Sequence, residues 1–278
     1  MADLKSYFRL LRVTDWCGFF LIALFGFVLS DGFLYPVIDL IIFFLILFLF
    51  LGFGFSVNDC FDVKEDKLSK KKNPIVRGKI SFENALIFSV ILALLGLILS
   101  THFGSKSFFL YFALILLSFF YSSPPLRFKS KFLLDILSHG LFSGTLLFFL
   151  PLIIFNSELS LFHYLIGLSI FWFSAIIELK NHLRDYEGDK KAGLKTTVCV
   201  LGKERSELLL KFLESFYPLT IFPIFLFSEN LILTMLFAII SCLSLIKKNN
   251  TISKYVKLPY NLLQKFIIAI WEISKSVF

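Results

Sequence analysis

The sequence predicts an all-α fold, a polytopic bundle of eight to nine membrane-crossing helices, and three observations predict it. Of 278 residues, 57% are hydrophobic and 18% aromatic, against roughly 45–50% apolar residues in soluble domains. The mean hydropathy is +0.82, and a soluble fold of this size could not bury so much apolar surface. Apolar runs near the length that spans a hydrocarbon core as a helix, roughly 17–25 residues, recur along the chain, and every second connection between them is rich in Lys and Arg.

The first run, 14–30, follows Lys5, Arg9 and Arg12 and leads into 31–36, which holds no base. The second, 36–57, is only modestly interrupted by Gly52-Phe53-Gly54 and opens onto Lys64, Lys67, Lys70, Lys71, Lys72, Arg77 and Lys79. After the third, 82–101, Lys106 stands alone; after the fourth, 107–121, come Arg127, Lys129 and Lys131. The fifth, 132–155, precedes 156–160, again without a base. The sixth, 161–179, is followed by Lys180, Arg184, Lys190, Lys191, Lys195, Lys203 and Arg205. The seventh, 207–227, ends at 228–230 without a base, and the eighth, 229–246, precedes Lys247, Lys248, Lys254 and Lys257. A ninth stretch, 258–278, is broken by Lys265, Glu272 and Lys275 and reads as either a span or an interfacial helix.

Because cytoplasmic loops carry the excess of Lys and Arg, this alternation predicts a multi-pass protein of the cell membrane with its N-terminus on the cytoplasmic side. The net charge of +8 follows from those loops and from attraction to anionic headgroups. Nucleic-acid binding is not expected, and no protein partner is implied. No removable signal peptide is expected before residue 16. The 38 Phe residues read as lipid-facing bulk. Cys17, Cys60, Cys199 and Cys242 form no CxxC pair, so a structural zinc or disulfide framework is unsupported.

Two acidic clusters carry the chemistry. At about 100° per residue, Asp59, Asp62 and Asp66 on one continuous helix would share an arc of about 60°, with Asn58 at its edge. Asn181, Asp185 and Asp189 repeat every fourth residue and would form a second stripe. Each cluster ends a long apolar run on the same membrane face. The single domain therefore divides into two pseudo-repeated halves, about 1–131 and 132–257, whose clusters would face a shared cavity. Oxygen donors without competing His or Cys suit Mg²⁺, an ion usually held by one or two carboxylates together with substrate phosphates. Nearby Arg and Lys would neutralise the remaining phosphate charge. A membrane enzyme acting on a lipid diphosphate fits this chemistry. The alternative is a cation-coupled transporter, which would place polar residues near helix midpoints; here the acids crowd at one face.

At these residues the chain resembles the UbiA superfamily of intramembrane prenyltransferases. Asn58-Asp59-x-x-Asp62-x-x-x-Asp66 matches that family's first motif. Asn181-x-x-Arg184-Asp185-x-x-x-Asp189-Lys190-x-x-Gly193-x-Lys195-Thr196-Thr197 is similar to the second, and Tyr121-Ser122-Ser123-Pro124-Pro125-Leu126-Arg127-Phe128-Lys129 to a third segment. The resemblance implies a helical bundle around a central cavity and transfer of a polyprenyl group from its diphosphate to a small acceptor, with Mg²⁺ as cofactor. It implies Asn58, Asp59, Asp62, Asp66, Asp185 and Asp189 as metal ligands, and Asp62, Asp185, Tyr121 and Lys129 as catalytic residues. Asn58, Arg77, Arg127, Lys129, Arg184 and Lys190 would bind the diphosphate. A Tyr121 face could also steady a carbocation. The family's loop after the first motif often reads R-P-x-x-x-G, whereas here Asn73 precedes Pro74, which makes Arg77 the expected loop base. His182 reads as a hydrogen-bonding neighbour of the second stripe and Glu178 as either lining the cavity or pairing near Lys180, while Arg12 and Asp15 read as interfacial anchors, with reach to an acceptor site as the alternative.

Overall fold

The computed structural model describes residues 4–69, 71–228 and 231–246, and every regular element among them is helical. The stretch 258–278 lies outside the described residues. Each of the eight apolar runs holds a helix. They are α2 (Cys17–Val28), α3 (Val37–Phe61), α5 (Phe82–Ser100), α6 (Ser105–Ser122), the pair α7 (Leu134–His139) and α8 (Leu147–Ile154), α9 (Leu161–Ala192), α11 (Lys203–Leu226) and α12 (Leu231–Ile246). Short helices α1 (Leu4–Leu11), α4 (Val63–Leu68) and α10 (Thr197–Leu201) complete the series.

Among the described residues, six helical segments are long and apolar enough to cross a membrane, and a seventh would be the bent pair of α1 and α2, which meet at 64°. The bend falls where Arg12 takes a left-handed conformation, φ 49°. Helix α12 is shorter than a span of that length. Residues Met1–Ala238 form one compact unit and Ile239–Phe278 a second; of the second, only the end of α12 lies among the described residues.

In the first unit α3 packs along α5, α9 along α11, and α2 along α8. Glycine permits the α2–α8 approach, where a Cβ on Gly26 would collide with the carbonyl oxygen of Phe148, and the approach of α5 to α6, where one on Gly96 would meet the Tyr111 hydroxyl. Within their apolar windows, 61% of the Leu134–Ile154 span is buried but only 17% of α11, so the former is central and the latter lies at the lipid-facing edge. On α5, Ile87, Ile91, Leu94, Leu95 and Ile98 face outward in the same way. Phe is not only lipid-facing bulk. Phe27, Phe43 and Phe155 are buried and ring-packed at 5.4–5.5 Å, because at helix crossings a wide ring fills gaps that aliphatic chains leave.

Between α7 and α8 the span is a π-helical stretch, Gly140–Leu146. Such wide turns are uncommon and often mark functional sites. Helix α9 outruns its apolar window by more than three turns, carrying the second acidic cluster on an unbroken helix until Gly193 stops it at φ 79°.

Candidate active site

The first cluster does not lie on one continuous helix. Helix α3 breaks at Asp62 (φ −97°, ψ 10°), and the chain restarts as α4. The expected 60° stripe is therefore split, and each carboxylate turns to its own cation. Asp59, 3% exposed, meets the Arg12 guanidinium at 3.3 Å. Asp62 receives Lys129 and lies 3.6 Å from Arg127, which also bonds Glu65 at 2.8 Å and the Phe61 carbonyl at 3.1 Å. Asp66 accepts from the Asn73 amide at 2.8 Å and faces Lys71 at 3.7 Å. Asn58 donates to Ser122 at 3.2 Å.

The second cluster sits on α9 as a continuous stripe. Asp185 faces Lys71 at 3.4 Å and its neighbour Arg184 at 3.2 Å; Asp189 lies 3.8 Å from His182 Nδ1. Lys71 is thus the side chain, among the described residues, whose ion pairs join the two clusters. Lys129, 8% exposed, is held down to about 8 by burial, although the Asp189, Glu178 and Asp59 carboxylates pull the other way. An ammonium that feels Asp189 while touching Asp62 places both motifs in one electrostatic environment.

Beneath the second cluster lies a buried polar hub centred on Glu178. Glu178 accepts from the Tyr121 hydroxyl and from Asn181 Nδ2 at 3.0 Å, pairs with His182 Nε2 at 3.0 Å, and faces His139 Nε2 at 3.5 Å. His139 Nδ1 lies 3.0 Å from Ser143, in the π-helical stretch, and 3.1 Å from Ser174. Asp135 accepts from Thr197 N and Oγ1 at 2.6 and 2.5 Å. Among the described residues, the buried side-chain polar atoms without a hydrogen bond are Glu65 Oε2, Ser123 Oγ, Arg127 Nε and His182 Nδ1. All four fall in this end of the bundle. Buried polar atoms are ordinarily satisfied, so their clustering marks a place built to take a polar ligand.

Of the residues singled out from sequence, the structure brings Asn58, Asp62, Asp66, Tyr121, Arg127, Lys129, Asp185 and Asp189 to one end. Asp59 is there too, turned to Arg12, so Arg12 is more than an interfacial anchor. Among the described residues the six expected metal ligands do not gather into one cage, because the break at Asp62 spreads Asp59, Asp62 and Asp66. Arg77 stays apart. It is exposed, with no side-chain hydrogen bond or ion pair to a described residue, because the turn 73–79 closed by Gly78 (φ 66°) points it to solvent. The expected loop position is held instead by buried Asn73 and by Lys71. Lys190 lies over its own neighbour Tyr186 at 5.5 Å, and Arg184 is 63% exposed. Lys71 and Glu65 carry no signal of their own in the sequence because they sit in a lysine run and a motif gap, and Asn73 reads there only as a departure from the family's loop. Glu178 and His182 had a legible signal: with Asp185 and Asp189 they continue one helical stripe.

No group of three or more His, Cys, Asp or Glu among the described residues converges as a metal cluster. The donors offered are carboxylate oxygens from α3, the break at Asp62, α4 and α9. This set fits Mg²⁺ held by a protein carboxylate or two with phosphate and water completing the octahedron.

An apolar helical bundle with two acidic motifs and their cations gathered at one end defines the class, an integral membrane enzyme that transfers a prenyl group. The chain belongs to the UbiA prenyltransferase family, whose model matches residues 19–257. Digeranylgeranylglyceryl phosphate synthase of Saccharolobus solfataricus is 30% identical over 88% of this chain and 88% of its own length. The enzyme of that name from Methanococcus aeolicus is 28% identical over 95% and 97%. The structure of a UbiA homolog from Archaeoglobus fulgidus bound to DMAPP and Mg²⁺ superposes with a TM-score of 0.82 at 24% identity, over 98% of this chain and 100% of that one. Family membership leaves no place for the transporter alternative.

Proposed function

We propose that this enzyme transfers a polyprenyl group from its diphosphate to the hydroxyl of a glyceryl-phosphate lipid, with Mg²⁺ as cofactor and pyrophosphate as the leaving group. The observation that carries the reading is Lys71, one ammonium pairing Asp66 of the first motif and Asp185 of the second. A ligand bearing metal and phosphate can therefore be gripped from both helices. The names of the relatives support the acceptor class, and the isoprenoid and Mg²⁺ in the fold neighbour support the donor.

In this reading Asp62, Asp66, Asp185 and Asp189 hold the metal, with Asn58 and Asp59 supporting. Bound Mg²⁺ supplies Lewis-acid stabilisation of phosphate charge. Lys129 and Arg127, already aimed at Asp62, face the negative charge that builds on the diphosphate as the allylic C–O bond breaks. Lys71 adds charge at the loop, and Arg184 and Lys190 line the approach. The isoprenoid tail lies among the apolar helices. The six long segments and the bent α1/α2 pair make seven crossings, and α12 is proposed as an eighth on its apolar composition, although it is shorter than those spans. Their pseudo-repeated halves are about 1–131 and 132–257, with the N-terminus and both motifs on the cytoplasmic side.

The test is purified protein with radiolabelled geranylgeranyl diphosphate, Mg²⁺ and a panel of glyceryl-phosphate, aromatic and sugar acceptors. Pyrophosphate release coupled to a prenylated glyceryl-phosphate lipid is the expected result. Coupling to an aromatic acceptor alone would replace the acceptor class, and no turnover beside active controls would sink the reading.

A further inference from the structure

Glu178 is a carboxylate taken out of water, 8% exposed, two turns below Asp185 toward the middle of α9. Burying a charge that serves no purpose is costly. Here it is ringed by polar groups from three helices: the Tyr121 hydroxyl of α6 donates to it, Asn181 and His182 of α9 itself bond it, and His139 of α7 lies 3.5 Å away. Among these partners Tyr121 joins the two motifs. The residue after it, Ser122, accepts from Asn58 of the first motif, while its own hydroxyl is bound to the helix of the second. Its ring packs at a tilt on His139 and Phe142, with centroids 5.9 and 5.3 Å away.

A phenol that donates its proton to a carboxylate gains electron density in its ring, and a richer ring attracts a cation more strongly through its face. The same bond fixes the ring's orientation, so that face is presented without reorganisation when charge appears. As the allylic C1–O bond breaks, the electron pair leaves with the diphosphate and positive charge stays on the allyl carbon. A stabiliser of that charge has to stand beside the two motifs, where Tyr121 is.

We propose that Glu178 is a positioning residue for prenyl transfer, acting through Tyr121 by holding and enriching its ring toward the allylic cation. The inference rests on the prenyl-transfer reading above. It assigns Glu178 no contact with substrate.

The experiment is steady-state kinetics with geranylgeranyl diphosphate and Mg²⁺ for wild type, Glu178→Gln, Tyr121→Phe, Tyr121→Leu and the double variant Tyr121→Phe/Glu178→Gln, with thermal melts of each. Glu178→Gln keeps the shape and removes the charge, so kcat should fall about ten- to thirtyfold, the scale of one desolvated cation–π contact, with KM for the diphosphate within about twofold. Tyr121→Phe keeps the ring and loses the bond, and should fall by a similar factor. The double variant should be no worse than the poorer single, and Tyr121→Leu should be the slowest. A structural role would instead lower the melting temperature and move KM and kcat together. Should Glu178→Gln fail to fold, Tyr121→Phe alone decides. Wild-type kcat in Tyr121→Phe, or equal losses from Glu178→Gln in both backgrounds, overturns the inference while the prenyl-transfer reading stands. Inactive wild type overturns both.

Discussion

The two acidic motifs look alike as sequence and are built differently. In the first, every carboxylate has its own cation or amide: Asp59 with Arg12, Asp62 with Lys129 and Arg127, Glu65 with Arg127, Asp66 with Asn73 and Lys71. In the second, Asp185 is a third exposed and has only the exposed side chains of Lys71 and Arg184, while Asp189 stands 3.8 Å from a histidine. The difference comes from the backbone. The break between α3 and α4 fans the first set out among three neighbouring elements, whereas continuous α9 keeps the second on one open face. The first motif is thus fixed before a ligand arrives, and the second offers uncommitted oxygen lone pairs.

If that contrast is right, the two motifs fail in different ways. The largest effect should come from Asp185→Asn, which removes an uncommitted ligand from a helix that stays intact. Turnover should fall by about a thousandfold or more, comparable to the loss of a principal charge-stabilising group, with an unchanged melting temperature. Activity near wild type would break the contrast at its functional side. Chelation comes next: EDTA should abolish turnover, Mg²⁺ should restore it, and Zn²⁺ should not, since a donor set dominated by carboxylate oxygens favours the harder ion. Retained turnover in EDTA would rule out the metal.

Lys129→Gln sharpens the comparison, because it strips the first motif of its most buried cation. A roughly hundredfold loss in kcat is expected, together with a lower melting temperature because Asp62 is left without its closest partner. Full activity would remove Lys129 from the diphosphate's surroundings. Arg12→Gln should act mainly on stability. Asp59 loses its ion-pair partner at a cost on the order of 1–3 kcal/mol, and KM for the diphosphate should hardly move. A large KM change with an unchanged melt would place Arg12 in the substrate site instead. The smallest effect is expected from Arg77→Ala. Its side chain is exposed and has no partner among the described residues, and losses of exposed charges are worth at most about 1 kcal/mol, so activity within about fivefold is predicted. A hundredfold loss would show that the turn 73–79 swings onto the substrate.

The bundle was legible in the chain because its causes are local. A run of apolar residues fixes a helix in lipid wherever it occurs, since unpaired backbone groups cannot be tolerated there, and loop lysines need no partner to be counted. Asp185 and Asp189 were equally legible, because their spacing acts along one unbroken helix. Other features needed the fold: the break at Asp62, the turn of Asp59 toward Arg12, the reach of Lys71 to Asp185 across 114 positions, and the Tyr121–Glu178 bond between α6 and α9. Composition and periodicity therefore determined the class of fold and the residue types of its acidic motifs. Which carboxylate meets which cation was decided only when the helices packed, because the energy of a charge pair depends on distance in space and on burial, and neither is written in the order of residues along one strand of sequence.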